Sequence, residues 1–226
     1  MTHCVQLPDE LDDVTAAAIG NPGMSSWAAL KERAQLVAGE TVLVNGATGT
    51  AGRLAVQIAK YLGARKVIAT GRDAQALQRL KALGADVTIS VAQPADSMEA
   101  AFQEQFGGEG VDVVLDYLWG QSAELLIVAA AKAGKDAVPI RFVEIGSASG
   151  ASISLPSAAL RSSALQLMGS GTGSIPVERL IGAVGELMQA VVPGRLEIET
   201  EPIPLANVEA GWTKDSGKRR IVFIVE

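Results

Sequence analysis

The most constraining stretch of this chain is Val42-Leu43-Val44-Asn45-Gly46-Ala47-Thr48-Gly49-Thr50-Ala51-Gly52, a Val-rich strand that runs through small residues straight into a helix. A turn this tight leaves the first N–H groups of the helix unpaired, and together with the helix dipole they form a seat for a pyrophosphate. Gly49 carries no Cβ, so phosphate oxygens can come up to the backbone, and Gly52 lets the helix pack closely on the strand. Ala47 stands where Gly-x-Gly-x-x-Gly has its first glycine, so the pattern reads Ala-x-Gly-x-x-Gly, overlapped by Gly46-x-x-Gly49-x-x-Gly52. Glycines alone would fit an ordinary tight βα turn; the strand before and the helix after make this a dinucleotide seat. The residues expected to hold the cofactor there are Ala47, Thr48, Gly49, Thr50, Ala51 and Gly52.

The second strand bears on which dinucleotide is bound. An NAD site expects an acidic acceptor for the ribose 2′-hydroxyl about 20 residues beyond the turn. Gly71 and Arg72 stand there instead, at the end of a strand Lys66–Thr70. A guanidinium can grip a 2′-phosphate in a charge-assisted fork, which favours NADPH over NADH. Asp73 is the counter-argument; as the N-cap of a helix reaching Leu83, it has another use. Gly84 then ends that helix in the left-handed conformation glycine adopts without strain.

The same alternation continues with strands Val87–Ser90, Val111–Leu115 and Ile140–Ile145 and helices Asp96–Phe106 and Gln121–Ala133. Successive βαβ units of this kind build an α/β, doubly wound parallel sheet of Rossmann type. Hydrophobic residues are 48% of the 226 and aromatics only 4%, so the core is aliphatic. The mean hydropathy of +0.26 suits a sheet buried on both faces. An apolar strand Leu165–Met168 and a helix Val177–Val191 come next, and then the rhythm breaks. Leu196–Ile203 and Arg219–Val225 read as strands flanking a short helix Leu205–Trp212, in a sheet of their own.

A net charge of -6 leaves no basic face for nucleic acid, so no nucleic-acid partner is expected. No apolar run approaches the roughly 18 to 20 residues that cross a bilayer, so no membrane partner is expected. Residues 1–13 turn acidic where a signal peptide would be apolar, which points to the cytoplasm. His3 and Cys4, the one His and the one Cys, are too few for a tetrahedral zinc site.

Taken in order, several motifs resemble the medium-chain dehydrogenase/reductase superfamily, in its zinc-independent, quinone oxidoreductase-like branch. They are Leu7-Pro8 to Ala18, Trp27-Ala28-Ala29-Leu30 to Gly39-Glu40-Thr41-Val42-Leu43-Val44, the glycine turn, and Ala82-Leu83-Gly84-Ala85-Asp86. Arg141-Phe142-Val143-Glu144-Ile145-Gly146, Pro204-Leu205-Ala206-Asn207-Val208-Glu209-Ala210 and Gly217-Lys218 complete the set. The resemblance implies a remnant or linker of a substrate domain at residues 1–25, a dinucleotide-binding domain at 26–194, and a C-terminal remnant of the β-rich substrate domain at 195–226. Most of a GroES-like first domain is then expected to be missing.

In zinc-dependent relatives a Cys stands where this chain has Asn21, and an amide is a poor zinc ligand. The resemblance therefore implies no metal, and hydride transfer from NADPH to a quinone, enone or aldehyde. By the same matching Ser25 lies near the nicotinamide, Ile145, Gly146 and Ser147 flank it, and Leu115 to Leu118 border the adenosine side. The family often dimerises through the strand matching Leu165–Met168, so a homodimer is implied.

Two alternatives stay open. The glycine turn also resembles that of atypical short-chain dehydrogenases, but Tyr61 is followed four residues later by Arg65 and Tyr117 by Gln121, where those enzymes carry Lys. The other is a truncated dinucleotide-binding module or redox sensor without activity.

Overall fold

A computed structural model describes residues 4–214, 216, 217 and 219–225. His3 and Lys218 lie outside the described residues. The chain opens with helix α1 (Asp13–Ala28), extended by a π-helical turn at Ala29–Arg33. Six βα steps come after it: β1 (Thr41–Asn45), α2 (Thr50–Tyr61), β2 (Lys66–Gly71), α3 (Ala74–Ala82), β3 (Val87–Ser90), α4 (Ala95–Gly107), β4 (Val113–Asp116), α5 (Gly120–Ala133), β5 (Ile140–Glu144), α6 (Ser157–Arg161), β6 (Leu165–Gly169) and α7 (Val177–Val191). All six strands are parallel, in the order β3-β2-β1-β4-β5-β6, the doubly wound arrangement expected from the alternation.

Alternate residues of each strand feed two separate cores. Val42 and Val44 of β1 and Leu115 of β4 face α1, α2, α3 and α7, while Leu43, Val114 and Phe142 face α4 and α5. Every residue of β1 and β4 is buried, as a sheet covered on both sides requires. Asp73 caps α3 by accepting from the Ala76 N–H at 3.0 Å, and Gly84 follows the helix at φ +109°.

The tail forms its own two-stranded parallel sheet, β7 (Thr200–Pro204) with β8 (Arg220–Ile224), linked by a 3₁₀ turn and the short helix α8 (Val208–Trp212). The strand expected over Leu196–Ile203 begins only at Thr200. The preceding residues are engaged by α2: the Gln57 side chain accepts from the Glu197 N–H at 2.7 Å and donates to its carbonyl at 3.1 Å. Strands expected to start at Val111 and to run to Ile145 are shorter, at Val113–Asp116 and Ile140–Glu144.

The expected border between residues 25 and 26 falls inside the single helix α1. That helix packs on α2 and α7 and touches both β7 and β8. Asp12 caps it by accepting from the Thr15 N–H at 2.9 Å. Among the described residues no helix is long and apolar enough to cross a membrane.

Candidate functional site: a cleft over the glycine turn

The turn between β1 and α2 rests on a buried polar network. The Gly46 N–H donates to Thr70 Oγ1 at 3.0 Å, and that hydroxyl donates to Asn45 Oδ1 at 2.7 Å. Asn45 Nδ2 in turn donates to Asp116 Oδ1 at 2.8 Å and to Ser122 Oγ at 2.9 Å. Thr70, Asn45 and Asp116 are wholly buried, so each hydrogen bond is formed away from competing water. Burial pushes the Asp116 carboxyl above the ordinary carboxylate range, against the pull of donors from Leu118, Asn45 and Trp119, and the neighbouring Glu144 adds to the rise. The backbone N–H groups of Leu118 and Trp119 reach Asp116 at 3.0 and 3.2 Å, which fixes the loop after β4.

Glycines in the turn have distinct reasons. Gly46 takes φ +88°, and a Cβ on it would sit 2.8 Å from the Leu118 side chain. A Cβ on Gly52 would stand 2.4 Å from the Gly46 carbonyl oxygen and 2.6 Å from Ala47 Cα, so close packing of α2 on the turn depends on it. At Gly49 the nearest atom to such a Cβ is 3.9 Å away. That position faces open space, where a ligand can approach the backbone. Gly49 is also the N-cap of α2, and no side chain caps the helix, so its first N–H groups are left for a ligand. A Cβ on Gly71 would come 2.3 Å from Thr48 Cγ2, so Thr48 closes directly over the end of β2.

These elements line one cleft of about 330 Å³, formed by Gly46, Thr48, Gly49, Thr50, Ala51, Gly52, Gly71, Arg72, Val91, Tyr117, Leu118 and Ala148. It lies at the carboxyl ends of the strands where the strand order reverses between β1 and β4, the switch point at which open α/β sheets bind ligands. Of the residues expected to bind a cofactor, Thr48, Gly49, Thr50, Ala51, Gly52, Gly71 and Arg72 meet here, with Ala47 buried beneath them. Arg72 is exposed, and no hydrogen bond or ion pair to it is found among the described residues. Ser25, Ile145, Gly146 and Ser147 are not in the lining. The loop after β5 is nonetheless fastened to the loop after β4: the Ile145 N–H donates to the Asp116 carbonyl at 2.8 Å and the Ser149 N–H to the Leu118 carbonyl at 2.7 Å.

Sequence reasoning weighed Tyr117 as a partner for a Lys that is not there, and placed it within the stretch Leu115 to Leu118 expected to border the adenosine side. In the structure its hydroxyl lies 2.8 Å from Ser26 Oγ, and Ser26 reaches the Ala51 carbonyl at 3.2 Å. Burial pushes the Tyr117 phenol up to about 12, so it stays protonated at neutral pH. Its place directly after β4, beside β1, is the signal that would have singled it out. Tyr61 instead packs with its ring 6.0 Å from that of Trp27.

Residues 51–189 match the family model described as zinc-binding dehydrogenase, and the chain belongs to this family. It is 29% identical over 228 residues to the probable NADPH-dependent quinone reductase tdiC of Emericella nidulans, covering 96% of this chain and 63% of that protein. The fold of AibC matches with a TM-score of 0.80 at 22% identity, over 98% of this chain and 59% of the other. The mycobacterial protein Rv1454c complexed with NADPH matches with a TM-score of 0.73 at 24% identity, over 91% of this chain and 62% of the other. The chain thus spans about three fifths of the length of each of these.

The family's description names zinc, and the donors present here do not fit that ion. Asn21 is exposed on α1, Cys4 is exposed, and among the described residues no three His, Cys, Asp or Glu side chains converge.

Proposed function

We propose that this chain is an NADPH-dependent oxidoreductase whose dinucleotide lies across the cleft over the glycine turn. The observation that carries the reading is the uncapped start of α2 at Gly49, open to a ligand and sharing one cleft with the unengaged Arg72. The pyrophosphate would be held by backbone N–H groups at Thr50 and Ala51, with Thr48, Gly49 and Gly52 shaping the seat and Ala47 beneath it. Arg72 would grip the 2′-phosphate, and Gly71 keeps that end clear for Thr48. Ser25, Ile145, Gly146 and Ser147 would serve the nicotinamide end. The bound cofactor supplies a hydride, and the substrate class is a carbonyl-activated acceptor such as a quinone, enone or aldehyde. The names of tdiC and of the mycobacterial NADPH complex support the cofactor.

Replacing Arg72 by Asp tests the cofactor. NADPH binding should weaken on the order of 10- to 100-fold, NADH binding far less; equal loss of both removes Arg72 from its role.

A cofactor-binding module without turnover is the second reading. It is favoured by the cleft lining, in which Tyr117, with its strongly held proton, is the one ionisable side chain besides Arg72. Oxidation of NADPH with a panel of quinones and enones, measured beside NADPH binding, separates the two. Binding without turnover supports the module; absence of binding ends both readings. The exposed edge strand β6 is also the proposed homodimer surface, and a monomer in light scattering at micromolar concentration contradicts it.

A further inference from the structure

Tyr117 is held more tightly than packing alone requires. Its partly buried ring packs against the core that contains residues of α1 and α2, and its hydroxyl ends 2.8 Å from Ser26 Oγ. Both other partners of Ser26 Oγ are carbonyl oxygens, Ala51 at 3.2 Å and Pro22 at 3.4 Å, which can only accept. Either hydroxyl of the Ser26–Tyr117 pair can be the donor; with the Ser26 hydrogen given to a carbonyl, Tyr117 donates to Ser26. This direction leaves the phenolic oxygen with free lone pairs and no hydrogen to give.

The order of strands sets what reaches that oxygen. Arg72 follows β2 on one side of β1, and Tyr117 follows β4 on the other. A dinucleotide with its 2′-phosphate at Arg72 and its pyrophosphate at the start of α2 must extend its remaining half over β4.

Resting on the NADPH reading above, we propose that Tyr117 is a cofactor-contacting residue: its oxygen, aligned by Ser26, accepts a hydrogen bond from the nicotinamide-riboside half and holds that half over the first turn of α2. The donors available on that half are ribose hydroxyls and the carboxamide N–H. The adenosine half, which the resemblance would border with Leu115 to Leu118, makes no use of the Tyr117 hydroxyl. One side chain thus acts on one end of the ligand only.

Calorimetric titration of the whole chain with NADPH and with adenosine 2′,5′-bisphosphate, which lacks the nicotinamide riboside, tests this. Tyr117→Phe keeps the ring and should weaken NADPH about 5- to 10-fold, while the bisphosphate stays within about twofold of the unsubstituted chain. Ser26→Ala, which frees the phenol to turn, should weaken NADPH about 2- to 5-fold with the same selectivity. An unchanged affinity of Tyr117→Phe for NADPH, or equal loss of both ligands, overturns the proposal. Failure of the unsubstituted chain to bind NADPH is a different result: it overturns the proposed function, and this contact with it.

Discussion

The six-stranded sheet and the β7–β8 pair are both parallel, yet they are built on opposite terms. In β1 and β4 every position is buried, whereas no residue of β7 is, and β8 buries only Val222. Phe142 of β5 is fully enclosed, its ring edge-on to Trp119 at 6.4 Å. Phe223 of β8 stacks on Trp212 at 6.3 Å, and Trp212 is 77% exposed. Layers on both faces let the first sheet hold its rim in fixed register, and the cleft sits on that rim. The pair contributes no residue to the cleft lining and is fastened from outside, by α1 and, just before β7, by the contact of Arg53 with Glu199 at 2.7 Å.

Substitutions that strike each sheet sharpen this contrast. Phe142→Ala should cost about 3–5 kcal/mol in denaturant unfolding, because it leaves a cavity with no route to collapse. Gly52→Ala forces a methyl against backbone atoms and should cost about 1–3 kcal/mol, with loss of dinucleotide binding as the helix moves off its turn.

Tyr117 gives a smaller, pH-dependent signature of the enclosed rim. The phenol is raised from an ordinary value of 10.0 to about 12, so its contribution to stability is complete below pH 10 and fades as pH climbs toward 12. Absorbance titration against Tyr117→Phe should show the missing phenolate rising near the upper value, and a transition near 10 would mean the hydroxyl is wet. Trp212→Ala should change stability by less than about 0.5 kcal/mol. A cost matching that of Phe142→Ala would erase the distinction between the two sheets.

Much of the sheet and the turn was legible because both rest on local pattern. Val-rich strands, the spacing of Gly46, Gly49 and Gly52, and the cap at Asp73 each act within a few residues. Helix α1 was not legible. It contains Gly20, Pro22 and Gly23, which read as breakers, and its partners α2, α7, β7 and β8 take up several of its sides, so no single apolar stripe marks it. Its one local signal is the Asp12 cap over Thr15. The network from Asn45 through Thr70, Asp116 and Ser122 was likewise hidden, because its members come from three adjacent strands and a distant helix. The contact made by Tyr117 was hidden for the same reason: its partner Ser26 lies 91 positions away.

Helix α1 also imposes an order on the birth of the molecule. Trp27 Nε1 donates to Glu186 Oε2 of α7 at 2.9 Å, and the two helices pack along one another. About 150 residues separate them, so on a ribosome α1 emerges on the order of ten to thirty seconds before its partner exists. Through that interval Trp27 lacks its partner on α7, although β1 can already pair with β2 as soon as that strand emerges. The nascent chain therefore carries an early, greasy segment that must wait or be sheltered by a chaperone. The seat for Tyr117 on Ser26 joins residues 91 positions apart, so a shorter nascent chain has its glycine turn before it has a finished cleft.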